Sequence, residues 1–219
     1  MTEDDRKKRR DTSASGGVSR RDFLTTASLG AVGLAAAGSA ASAAADTGAS
    51  VPEVIPAGQT VPITLEINGH SHRLLVEPRW SLLFVLREQL GMTASKEGCH
   101  RGECGACTVL LDGVPRYACM TLAVEAEGVE ITSPEGLLEG ESLGPVQKAF
   151  VENDAFQCGY CTPGQVMAVE GLLRANPAPS RDEIRTGVSG NLCRCGAYAN
   201  IFKAAAQAAE LKRGKGGGQ

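Results

Sequence analysis

The chain has 219 residues, a formal net charge of −3, 42% hydrophobic and only 4% aromatic residues, with 27 glycines and 8 cysteines. That length holds one or two small domains and leaves no room for a large enzyme with a deep pocket of its own. A mildly acidic balance argues against a nucleic-acid binder, and the apolar fraction excludes disorder throughout. So few aromatic side chains give a thin core, which something besides packing has to help hold; the cysteines are the candidates.

The first 45 residues carry seven basic against five acidic side chains. Arg20 and Arg21, followed by Asp22-Phe23-Leu24, precede an uncharged stretch from Ala27 to Ala45 rich in Ala and Gly. The stretch ends in small residues that offer cleavage after Ala43 or Ala45. Its length approaches that of a membrane span, but its residues are weakly apolar and it lacks a stop-transfer flank. Paired arginines ahead of a weak apolar region resemble a twin-arginine (Tat) export signal. Residues 1–45 are therefore expected to be a removed signal, read by the Tat export machinery, with a periplasmic destination for a chain exported already folded. Residues 46–59, rich in Ala, Pro and Gly, read as an extended linker.

Residues 60–133 carry β signals. Val61 to Val76 alternates apolar and polar residues around Asn68-Gly69, a strong hairpin signal. Ser81 to Leu90 has the apolar spacing of one helix face, closed by Gly91. A second hairpin is predicted from Thr108 to Val114 around Asp112-Gly113, and a short strand over Val129–Thr132. From about Ser142 the period turns helical, giving a second domain over residues 134–212. Thr162-Pro163-Gly164-Gln165 reads as a cap, a first-turn proline and a capping partner for a helix to about Ala175. Ser180 to Glu183 is a second capping box, ahead of Ile184 to Val188. A last helix is expected over Ala199–Leu211, and residues 213–219 as a disordered tail.

The cysteines carry the chemistry. Cys99, Cys104, Cys107 and Cys119 have the C-x4-C-x2-C spacing of a plant-type [2Fe–2S] site, with a more distant fourth ligand. The first three sit in a loop containing Gly98, Gly102 and Gly105, and glycine lets a chain wrap a cluster closely. Loop amides can then point at sulfur and stabilise the extra electron. Cys158, Cys161, Cys193 and Cys195 form a second set at two helix entries, where thiolates and an anionic cluster are favoured. An even cysteine count in an exported chain also permits disulfides, and either set could bind structural zinc. Rieske-type ligation needs a histidine pair; His70 and His72 lie at the predicted hairpin turn, and His100 reads as a loop filler beside four sufficient cysteines.

Three motifs then bear a specific resemblance. Gly98-Cys-x-x-Gly-x-Cys-Gly-Ala-Cys-Thr-Val109, Phe156-Gln-Cys-Gly-Tyr-Cys-Thr-Pro-Gly164 and Gly190-Asn-Leu-Cys-Arg-Cys-Gly-Ala-Tyr198 resemble the small iron–sulfur subunit of the molybdenum hydroxylases. The likeness spans residues 60 to about 212 and, with the export signal, points to the periplasmic aldehyde oxidoreductase branch. It implies an α+β chain: an N-terminal β-grasp ferredoxin domain, then an all-α four-helix bundle, each holding one [2Fe–2S] cluster. It also implies a large catalytic subunit that binds molybdopterin, and a medium FAD-binding subunit or cytochrome c as acceptor. In the family, residues matching Gln157 and Cys195 approach the pterin. The chain itself would be an electron wire with no catalytic residue. A free-standing electron carrier, or a subunit acting on purine, carbon monoxide or N-heterocycle substrates, are the alternative readings.

Overall fold

The computed structural model describes residues 54–216. The proposed export signal, with Arg20 and Arg21, and most of the linker lie outside the described residues. Among those described, no helix is long and apolar enough to cross a membrane.

Strands β1 (Val61–Ile67), β2 (His70–Val76), β3 (Thr108–Leu111), β4 (Val114–Tyr117) and β5 (Glu130–Thr132) form one sheet in the order β2-β1-β5-β3-β4. Only β1 and β5 run parallel; the other neighbours are antiparallel. Both predicted hairpins form. Asn68 and Gly69 take φ of 53° and 77°, and Asp112 and Gly113 take 48° and 77°, the left-handed pair that a tight two-residue turn requires. The alternation in β1 buries Ile63, Leu65 and Ile67 against Leu82, Leu83, Val85, Leu86, Val109 and Ile131. The predicted helix after Ser81 is split. Ser81 caps α1 (Leu82–Phe84), accepting from the Phe84 amide at 3.2 Å, and the chain widens into a π-helical turn over Val85–Gln89.

Asn68 also fixes the exit from the sheet. Its side chain exchanges two 2.9 Å hydrogen bonds with Ser133, accepting from its amide and donating to its hydroxyl. Beyond lie α2 (Pro145–Glu152), α3 (Thr162–Ala175), α4 (Arg181–Gly187) and α5 (Tyr198–Gly216). They enclose a second core of Val146, Phe150, Val169, Leu173, Ile184, Ile201 and the alanines of α5. The small residues of α5 let α2 approach closely and offset the scarcity of aromatics. The capping box at Ser180 and Glu183 forms, with reciprocal hydrogen bonds of 2.7 and 3.3 Å; the Ser180 amide, with its hydroxyl adding to it, holds the Glu183 carboxyl below its usual range. The box predicted at Thr162 does not form. Cys161 occupies the cap position, and the Gln165 side chain is used elsewhere. Helix α5 runs on to Gly216, past the end of its apolar stripe, where Lys212 pairs at 2.7 Å with the nearly buried Glu170 of α3.

Candidate metal centres

The β3–β4 hairpin builds half of the first site. Its register pairs Thr108 with Tyr117, so Cys107 just before β3 and Cys119 just after β4 are brought side by side. The Ala118 amide closes this corner on the Cys107 carbonyl at 3.2 Å. Both thiols are buried, and burial, with the Cys119 and Cys104 thiols adding to it, pushes Cys107 up to about 12. The other half is the loop before β3, closed at its base by a 3.1 Å bond from the Lys96 amide to the Ala106 carbonyl. Left-handed turns at His100, Gly102 and Gly105 coil it so that the amides of Arg101 and Glu103 aim at Cys99 Sγ, 3.5 and 3.3 Å away. The Arg101 amide is the main reason the Cys99 thiol is lowered to about 7, with Glu103 and Cys104 also contributing. His100 is exposed and paired with Glu97 at 2.9 Å.

The helical site is assembled at two helix entries, as the spacing predicts. Cys158 and Cys161 occupy the turn before α3, and Cys193 and Cys195 the loop before α5. Cys158 contacts Cys195, and Cys161 contacts Cys193. The Ala197 amide points at Cys193 Sγ at 3.4 Å, and the Cys193 amide donates to the Tyr198 hydroxyl at 2.8 Å. Burial raises Cys161 to about 12, whereas the Tyr160 amide lowers the exposed Cys158. This quartet has two sides: Cys158 and Cys195 are exposed beside the exposed Gln157, and Cys193 is buried.

All eight cysteines are free thiols. Among the described residues, no three His, Cys, Asp or Glu side chains converge on the point a single ion would take. The hydrogen-bonding thiols fall in pairs instead, Cys99 with Cys104, Cys107 with Cys119, Cys158 with Cys195 and Cys161 with Cys193, while Cys104 also acts on Cys107 and Cys158 on Cys161 across the pairs. Pairs suit a binuclear cluster, in which each iron takes two thiolates, better than a zinc ion needing four around one centre. Amides already aimed at Cys99 and Cys193 supply the hydrogen bonds that cluster sulfur accepts. The Thr162 hydroxyl, next to Cys161, is buried without a partner, a donor poised beside the second quartet. The residues present fit two such clusters.

The two sites are joined through a buried seam. The Leu192 amide donates to the Cys104 carbonyl at 2.9 Å, so a residue adjoining Cys193 touches a member of the other quartet. The Tyr117 hydroxyl donates to the Gly190 carbonyl at 2.9 Å, and the Tyr160 hydroxyl to the Glu97 carbonyl. Asn191 Nδ2 donates to the Gly105 carbonyl at 2.8 Å and Gln165 Nε2 to the Asn191 carbonyl at 2.6 Å. Two glycines make this approach possible. A Cβ on Gly105 would lie 2.5 Å from the Gly190 carbonyl oxygen, and one on Gly164 would lie 2.2 Å from the Gly105 carbonyl oxygen. Sequence reasoning missed Asn191, Gln165 and Tyr117. Asn191 lies inside a motif, but nothing local marks it as buried.

The chain is similar to known proteins. Residues 133–206 match the [2Fe-2S] binding domain family. The chain is similar to the aldehyde oxidoreductase iron-sulfur-binding subunit of Escherichia coli, 46% identical over 180 residues, covering 75% of this chain and 79% of that protein. It is 44% identical to the nicotinate dehydrogenase small FeS subunit of Eubacterium barkeri, covering 68% and 96% of the two chains. Among solved structures it resembles a chain of quinoline 2-oxidoreductase from Pseudomonas putida 86, with a TM-score of 0.68 and 47% identity over 71% of this chain and 97% of that one. With its paired thiols and bridged loops, the chain belongs to the iron–sulfur subunits of the molybdenum hydroxylases, oxidoreductases in which it is the electron-transferring, non-catalytic part beside a large subunit that carries molybdopterin.

Proposed function

We propose that the chain is the electron-transfer subunit of a periplasmic aldehyde oxidoreductase, carrying electrons from a molybdopterin-binding large subunit to an FAD-binding subunit or a cytochrome c. In this reading residues 60–133 are a β-grasp ferredoxin domain and residues 134–212 a four-helix bundle. Cys99, Cys104, Cys107 and Cys119 hold one [2Fe–2S] cluster; Cys158, Cys161, Cys193 and Cys195 hold the other. Each cluster, when bound, takes up and gives back one electron at a time, which splits the two-electron oxidation made at molybdenum.

The chain's own residues then divide the work. Buried Cys107, Cys119 and Cys193 keep water from the inner side of each site. The exposed Cys158, Cys195 and Gln157 offer the helical site to the pterin. The observation that carries the reading is the Cys104 carbonyl to Leu192 amide bond, which links the two quartets through main chain alone. Aldehyde as substrate rests on the Escherichia coli relative and on the expected export signal. Nicotinate and quinoline enzymes also appear among the chain's relatives, which fits substrate choice belonging to the large subunit. Purine and N-heterocycle oxidation is therefore the second reading.

Iron and sulfide analysis of the purified complex, with EPR after reduction, tests the proposal. Four irons per chain and two distinct signals are expected. Two irons, a single signal or stoichiometric zinc would refute it.

A further inference from the structure

The seam between the two sites contains more polar chemistry than packing needs. Asn191 is 4% exposed and Gln165 is fully buried. Asn191 Nδ2 donates both to the Gly105 carbonyl at 2.8 Å and to Thr108 Oγ1 at 3.0 Å, while Thr108 Oγ1 itself donates to the Gly105 carbonyl at 2.6 Å. Gln165 Nε2 donates to the Asn191 main-chain carbonyl at 2.6 Å, and Gln165 Oε1 has no partner. Each participant lies close in the chain to a cysteine of one quartet or the other. Gly105 follows Cys104, Thr108 follows Cys107, Gln165 lies in the first turn after Cys161, and Asn191 precedes Leu192 and Cys193. Four ligand-bearing segments are thus tied through two carboxamides.

Burying carboxamides is unfavourable unless they are hydrogen-bonded, and aliphatic side chains of the same size would fill this space without leaving an orphaned oxygen. What the carboxamides add, besides pairing the Asn191 carbonyl that an aliphatic side chain at position 165 would leave bare, is direction. A hydrogen bond tolerates little change in distance or angle, so the network fixes the register of the 104–108 segment against the 190–193 segment. That register sets the Leu192 amide on the Cys104 carbonyl.

We propose that Asn191 and Gln165 are positioning residues for electron transfer between the two cysteine quartets, clamping the Cys104–Leu192 bridge in its conducting geometry. The inference rests on the reading of each quartet as a [2Fe–2S] site. One electron crosses at a time, from iron held by Cys158, Cys161, Cys193 and Cys195, which is oxidised, to iron held by Cys99, Cys104, Cys107 and Cys119, which is reduced. No atom or proton accompanies it. The molybdenum subunit supplies the electron and the flavin or haem partner removes it.

The test uses the assembled complex with Asn191→Leu and, separately, Gln165→Met. Iron content and the EPR signal of each centre are measured first, then the magnetic splitting between the two reduced centres. Rapid freeze-quench EPR after mixing with an aldehyde follows the order in which the two signals grow. Both signals should persist, the splitting should shrink, and the second signal should be delayed by on the order of tenfold, because small losses of alignment weigh heavily on transfer rates. The first signal should grow at the wild-type rate. Gln165→Met leaves both contacts of the Asn191 side chain in place and decides the matter if Asn191→Leu loses iron. Unchanged splitting and timing in a variant that keeps both centres overturns the proposal, as does loss of iron from both variants. Absence of two signals in the wild-type complex would instead overturn the reading of the quartets.

Discussion

Two glycines in left-handed backbone separate the strain of a turn from the crowding of the seam. Gly91 has φ of +70° with nothing within 4 Å of where a Cβ would stand, and Gly105 has φ of +69° with the Gly190 carbonyl oxygen 2.5 Å and Asn191 Nδ2 2.7 Å away. Alanine at either position pays the left-handed penalty, about 1–2 kcal/mol. At Gly91 that is the whole expected loss. At Gly105 the methyl must also force the 104–108 and 190–192 segments apart, breaking the 2.8 Å bond from Asn191 to Gly105. A buried donor or acceptor left without its partner costs about 1–3 kcal/mol. Gly105→Ala should therefore lose roughly 2–5 kcal/mol in total, a large share of the stability of a typical domain. Urea unfolding followed by far-UV circular dichroism measures both variants against wild type, with stability read from midpoints at a common slope. Equal losses for Gly91→Ala and Gly105→Ala, within about 0.5 kcal/mol, would refute the claim that the seam is closed at Gly105.

Other outcomes follow from the two sites. Gln157 is exposed and its side chain makes no hydrogen bond in the described structure, so Gln157→Ala should leave stability within about 0.5 kcal/mol and both iron signals intact. It should nevertheless slow reduction of the helical centre by aldehyde in the complex, whereas Glu103→Ala should slow only hand-over to the acceptor; stopped-flow bleaching at wild-type rate in Gln157→Ala would reverse the assignment. In iron-free protein, thiolate is the reactive form, and its fraction grows as pH rises through the group's pKa. Cys99, lowered to about 7, and exposed Cys158, lowered by the Tyr160 amide, should alkylate first near neutral pH. Cys107 and Cys161, both raised to about 12 by burial, should resist until strongly alkaline pH, as peptide mapping by mass spectrometry would show. Replacing Arg20 and Arg21 by lysine should remove aldehyde-oxidising activity from the periplasm, and undiminished periplasmic activity would refute the export proposal.

Local chemistry was legible in the sequence; long-range chemistry was not. Asn68-Gly69 and Asp112-Gly113 announce their hairpins because the turn geometry depends on those two residues alone. Ser180 and Glu183 announce their helix for the same reason. The eight cysteines could be sorted into two sets by spacing, and their pairing within each set required only that the hairpin and the helix entries form. Gln165 misled: three positions after Thr162 it has the spacing of a capping partner, yet it serves the seam by bonding Asn191. Tertiary demand overrode a local rule there. The contact of Asn191 with Gly105 spans 86 residues, and no periodicity or motif encodes a partner at that distance. The π-helical turn at Val85–Gln89 was equally hidden, since its apolar spacing also fits an ordinary helix.

The same span has a consequence for biogenesis. Synthesis proceeds from the amino terminus, so Cys99, Cys104, Cys107 and Cys119 are all made, with the five strands that frame them, before Cys158. The first quartet can close on a nascent chain, as domains generally fold in the order they emerge. The second cannot until Cys193 and Cys195 are made, and Asn191 must reach back to a loop already formed. Metal loading is thereby ordered in time: the 99–119 quartet first, the 158–195 quartet only once residues 190–195 have followed. Premature termination anywhere between Thr132 and Asn191 would release a product able to take up one centre yet unable to bridge it to another, a half-built conductor exposing the Gly105 face that the 190–192 segment normally covers.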